Sequence, residues 1–134
     1  MKILLDEHLQ RRLKAFLKSD FQVFLVRDMG WSGLRNGALR ERLNENGFTF
    51  LITADKNLPF QQNLNKADFT VILLGSRFTA WRFHVLLLPK IQAMLQNPPS
   101  PLPKLIYVDH DDWHDEDLIQ KLKRQFPPDQ ILFI

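Results

Sequence analysis

The feature that most limits how this chain of 134 residues can fold is an alternation of short apolar runs with amphipathic segments. That rhythm is the signature of βαβ units and of a mainly parallel sheet. Ile3, Leu4 and Leu5 read as a buried first strand. Leu9, Leu13, Phe16 and Leu17 then recur at helical spacing, with Gln10, Arg11, Arg12, Lys14 and Lys18 on the other positions, so a first helix with a basic outer face is expected. Phe21 to Val26 reads as a second strand and Arg27 to Arg35, with Gly30 and Gly33, as a loop. Asn36 is placed to cap a short helix that Gly47 ends.

Phe48 to Thr53 and Thr70 to Leu74 read as the third and fourth strands, joined by a short helix over Leu58 to Lys66 with Pro59 in its first turn. Thr79 to Gln96 has helical apolar density, but Pro89 demands a break or a fresh start. Four prolines between Asn97 and Pro103 end that helix. Lys104 to Val108 is a fifth strand, Asp115 to Phe126 an acid-capped helix, and Ile131 to Ile134 a last apolar strand or strap.

The length suits one domain, and 45% hydrophobic with 25% charged residues is ordinary globular usage. With no cysteine, disulfides, thiolate metal sites and cysteine nucleophiles are excluded, so any metal must sit on oxygen or imidazole. The start reaches Asp6 and Glu7 after three apolar positions, too short for a secretory signal, and the apolar run Val85 to Leu88 is far below the roughly 20 residues of a membrane span. A cytoplasmic protein without a membrane partner is expected. Charge is uneven: residues 1 to 108 carry 15 Lys and Arg against eight Asp and Glu, while residues 109 to 134 carry three against seven. A basic body attracts polyanions, and an acidic tail can compete with them, cover the basic face or make a homodimer contact.

Ligands of parallel α/β sheets gather beyond the carboxyl ends of the strands. The first strand ends in Asp6-Glu7, the second runs through Arg27 to Asp28, and the third ends Ile52-Thr53-Ala54-Asp55. Clustered carboxylates repel unless a cation intervenes, so convergence of these acids points to a hard divalent ion, Mg²⁺ or Mn²⁺. Each residue also has a plainer role open to it: Asp6 and Glu7 as helix caps, Asp28 as a turn residue, Asp55 as the cap of the following helix. His110 and His114 stand four apart among carboxylates, a zinc-binding spacing if helical, though a loop and helix start suit the surrounding acids better. Phe78, Trp81 and Phe83, interleaved with Arg77 and Arg82, fit either base stacking or core packing.

Met1 to Leu9 with Arg11-Arg12-Leu13, then Val26 to Trp31, then Leu51 to Pro59, resemble a family of small bacterial PIN-like proteins related to PIN-domain toxins of toxin–antitoxin pairs. The likeness covers residues 1 to about 75, is loose to about 108, and leaves residues 109 to 134 as an acidic C-terminal extension, a helix plus a terminal strand. It implies a three-layer PIN-like fold and a Mg²⁺- or Mn²⁺-dependent endoribonuclease, toxin-type or RNA-processing, cleaving single-stranded RNA, with an antitoxin protein as partner. By position it makes Asp6 and Asp55 metal ligands and catalytic acids, assisted by Glu7 and Asp28, with Thr53 and Asn36 behind them. It turns Arg11, Arg12 and Lys56 toward phosphate, and His8 has either metal or phosphate binding or a surface helix position open to it. The chain departs from the family at Asn36-Gly37-Ala38, where an acid is expected, and at His8, where Asn is commoner. The missing acid near Ala38, together with the acidic tail, favours an alternative, a catalytically degenerate module that binds nucleic acid or protein. A phosphatase or nucleotide-processing enzyme would use the same crevice and ion.

Overall fold

A computed structural model describes residues 1 to 17 and 20 to 134; Lys18 and Ser19 lie outside the described residues, as does the side chain of Asn36. The strands are β1 (Lys2–Leu5), β2 (Gln22–Leu25), β3 (Phe50–Thr53), β4 (Thr70–Leu74), β5 (Leu105–Val108) and β6 (Ile131–Phe133). They form one sheet in the order β2-β1-β3-β4-β5-β6, and every pairing is parallel. The helices are α1 (Leu13–Phe16), α2 (Asn36–Glu45), α3 (Leu58–Gln61), α4 (Trp81–His84), α5 (Leu88–Gln96) and α6 (Glu116–Gln125).

Register explains why the strands are apolar throughout. Phe24, Leu4, Leu51, Val71, Leu105 and Ile131 face one another in a row across the sheet, and the next row is Leu25, Leu5, Ile52, Ile72, Ile106 and Leu132. Successive side chains of a strand point to opposite faces, so the two rows feed two separate cores. The first packs against α2, α3 and α6 through Leu39, Leu43, Leu58, Leu118 and Leu122; the second packs against α1 and α5 through Leu13, Leu17, Leu88, Ile91 and Leu95. The result is three layers, an all-parallel six-stranded sheet flanked by helices, consistent with a PIN-like arrangement. Among the described residues, no helix is long and apolar enough to cross a membrane.

The crossovers leaving β3 and β5 run over the first core, whereas the one leaving β4 steps the same way over the second core. The β4-to-β5 crossover therefore has the opposite hand to its neighbours. β1 and β4 send their connections over the second core and β2, β3 and β5 over the first, so connections part at the carboxyl edge between each neighbouring pair from β2 to β5.

Local differences from the sequence reading have simple causes. The first helix shrinks to α1 because residues 7 to 12 run as turns, with Leu9 N–H on the Asp6 carbonyl and Leu13 N–H on the Gln10 carbonyl. Turns of this kind bury Leu9 and Leu13 nearly as a helix would, while Phe16 stays half exposed. Asn36 is the first residue of α2 rather than its cap; Arg35 holds the extended position before it. Pro59 and Pro89 both sit in first turns, and α5 is the fresh start that Pro89 requires.

The acidic C-terminal segment does supply a helix and a strand, and both join the main body. β6 extends the sheet beside β5, and α6 seals Leu105 and Tyr107 with Leu118 and Leu122. Leu122, fully buried, should cost about 2–5 kcal/mol when changed to Ala, read as a lower urea midpoint. Truncation after Val108 should yield no folded protein by circular dichroism.

Candidate functional site

At the carboxyl ends of β1 and β3, Thr53 joins two sequence-predicted acids. Its hydroxyl donates to Asp6 Oδ2 at 2.6 Å and accepts the Asp55 N–H at 3.0 Å. The other Asp6 oxygen accepts the Glu7 N–H at 2.8 Å, and the Asp6 N–H pairs with the Ile52 carbonyl, which docks the end of β1 on β3. The Asp55 carboxylate folds over its own loop and accepts the Asn57 N–H at 3.0 Å. Thr53 is fully buried, Asp6 half-buried, and Glu7, His8 and Asp55 exposed. Neither Asp6 nor Glu7 caps a helix, since α1 begins only at Leu13.

The remaining predicted residues are dispersed. Asp6, Glu7, Arg11 and Arg27 line a hollow of about 80 Å³ between β1 and β2. Asp28 lies outside it, exposed, on a neighbouring groove shared with Arg11 and Lys14; it follows β2, the edge strand, with β1 between it and β3. The expected convergence of acids from three strands is therefore not formed. Among the described residues, no three His, Asp or Glu side chains gather closely enough to hold one ion. Arg12 lies 4.4 Å over the Trp81 ring, and Lys56 is paired with Asp115 at 3.1 Å; both have protein partners in place of phosphate. The Asn36 side chain lies outside the described residues.

A second polar cluster occupies the ends of β4 and β5. Asp109, buried, accepts the Tyr107 hydroxyl at 2.5 Å, the His110 N–H at 2.7 Å and the Asp115 N–H at 2.9 Å. Burial, and then the Asp109 carboxylate, raise the Tyr107 phenol far above its ordinary value. Ser76 Oγ lies 3.1 Å from His110 Nε2, and His84 is buried nearby. Asp115 caps α6 through the Leu118 N–H at 3.2 Å. Partial burial works against its ionisation, but that N–H and the Lys56 ammonium leave its carboxyl below the usual range. His110 and His114 do not form a zinc pair: the segment is a loop, and His114 bonds Glu116 and the Asp111 carbonyl.

Ser76, His84, Tyr107 and Asp109 were not singled out from sequence as a site. The signal was present, because Gly75-Ser76 and Asp109-His110 follow their strands as directly as Asp6 follows β1. Gly75 must be glycine here, since a Cβ would overlap the Tyr107 ring. A groove of about 480 Å³, lined by Gln61, Asn63, Gln125 and Gln130, includes no residue of either cluster. Comparison with protein-family models, curated proteins and solved structures found no match.

Burial first, then the charges of His110 and Lys56, hold His84 below its ordinary value of 6.5. The neutral ring's contribution is full above 6.5 and is lost as pH falls through the lower folded value, because the unfolded chain then binds the extra proton. Urea midpoints should drop between pH 7.5 and 5, and His84→Phe should flatten that drop.

Proposed function

We propose that this protein is a metal-dependent, PIN-like endoribonuclease that hydrolyses single-stranded RNA, with Asp6 and Asp55 as the acids of its site. The observation that supports this reading is the Thr53 hydroxyl, which ties the Asp6 carboxylate to the Asp55 main chain where the chain's crossovers part between β1 and β3. The donors suit a hard cation: each Asp6 oxygen spends one lone pair on a protein donor and keeps another, and Asp55 Oδ1 accepts a single N–H. Mg²⁺ commonly takes one or two carboxylates and completes its shell with waters and substrate phosphate, so two acids are enough where a third is missing. Asp6 and Asp55 would hold it, and Mg²⁺ or Mn²⁺ there would supply Lewis acidity and a water of lowered pKa.

The chain's own residues do the rest. Thr53 fixes the orientation of Asp6, and Arg11 and Arg27 in the adjoining hollow offer phosphate two guanidinium groups. Glu7 stands on the same hollow as a candidate helper, with Asp28 and His8 farther out on the exposed rim. In this reading the chain acts in the cytoplasm as a toxin-type or RNA-processing nuclease, held in check by an antitoxin protein or a second copy.

One observation favours the rival reading of a PIN-like module that binds without cutting: among the described residues no third acid joins the pair. Mn²⁺-stimulated cleavage of single-stranded RNA decides between them. Asp6→Asn and Asp55→Asn should each reduce cleavage to background with circular dichroism unchanged, and Thr53→Val should weaken activity by about 10–100-fold. Cleavage that persists in both Asp variants removes the assignment, and RNA binding by a wild type that never cuts leaves the module.

A further inference from the structure

Aromatic rings crowd the ends of β4 and β5 in a way that internal packing does not account for. Phe78 and Phe83 stack with centroids 4.5 Å apart and 28° between their planes, and Trp113 stands edge-on to Phe83 at 6.1 Å. His110 adjoins both, 6.5 Å from Phe83 and 5.4 Å from Trp113. Yet Phe78 and Trp113 remain 45% and 47% exposed. Large apolar rings held side by side in water mark a binding surface.

His84 supplies an independent sign. It is 6% exposed, and its ring makes no hydrogen bond with any described residue. No fully enclosed side-chain nitrogen among the described residues lacks a partner, so the His84 ring reaches an opening. A neutral imidazole carries one donor and one acceptor, the complement of a base edge.

The charges around the rings select the occupant. Asp109 is satisfied by three donors, Asp111 is paired with Lys90, Asp115 with Lys56 and Glu116 with His114, leaving Asp112 and Asp117 as the exposed acids of this segment without an ion pair. Arg77 and Arg82 form no direct ion pair with described residues; the Arg77 charge acts on Asp115 from farther off, and Arg82 lies 5.0 Å over Phe83. Exposed rings interleaved with guanidinium groups outside any direct ion pair suit the bases and phosphates of a single strand.

We infer that the ends of β4 and β5 form a base-stacking subsite for single-stranded nucleic acid, with Phe78 and Trp113 as the platform and His84 and His110 beneath it. The subsite deepens the nuclease reading and rests on it for the course of the strand: two strand spacings, about 10 Å, separate it from the Asp6 edge, so one RNA strand laid along the carboxyl edge meets both.

Binding without cleavage tests it. The full chain, at low salt in EDTA, is titrated against a labelled oligouridylate of about 12 nucleotides and a duplex of equal length, followed by fluorescence anisotropy. Wild type should prefer the single strand. Phe78→Ala and Trp113→Ala should each weaken that binding by about 5–100-fold, and Trp113→Phe should restore most of it. Both half-exposed positions tolerate truncation, which circular dichroism verifies. Unchanged affinity in both Ala variants overturns the subsite, as does a wild type that ignores single strands because the patch takes a protein. If the Ala variants lose binding while Asp6→Asn still cuts, the nuclease reading fails and the subsite stands; the reverse pattern removes the subsite alone.

Discussion

Parallel pairing governs this molecule. A chain that pairs every strand in parallel must return from the carboxyl edge to the amino edge after each one, and it can do so only across a face of the sheet. Both faces are thereby covered, and each strand must be apolar on both sides, as the paired rows through Leu4 and Leu5 are. Polar chemistry is driven out of the sheet to its ends. The carboxyl end is where the crossovers part, and Asp6, Thr53, Ser76 and Asp109 all stand there.

These edge residues hold one another in place. A buried hydroxyl holds the Asp6 carboxylate and the main chain at Asp55, while the exposed Asp55 carboxylate is held by the Asn57 N–H. Asp109 gathers a phenol and two N–H groups, which fixes the turn that follows β5. Lys56 and Asp115 then join the loop after β3 to the start of α6, so the acidic C-terminal segment clamps the site's own loop. Unpaired buried carboxylates are costly, and here each buried or half-buried one carries its donors with it.

The carboxyl edge therefore holds two kinds of surface. Near β1 and β3 it is hard and oxygen-rich, with guanidinium groups beside it. Near β4 and β5 it is aromatic, over imidazole. In the proposed reading, acid, imidazole and ring along one edge serve an extended polyanion with bases.

The sequence by itself determined the element order, the parallel sheet and the acids at the ends of β1 and β3, because apolar periodicity and strand ends are local properties of the chain. It marked Pro59, Pro89 and Asp115 correctly for the same reason: helix starts are decided within one turn. Only the tertiary structure decided which residues share a site. Asp28 leaves the group because β2 lies at the edge, Lys56 is claimed by Asp115 from 59 residues away, and β6 closes the sheet rather than hanging from it. Strand order and crossover side are set by competition among distant apolar faces for cover, which no local pattern encodes.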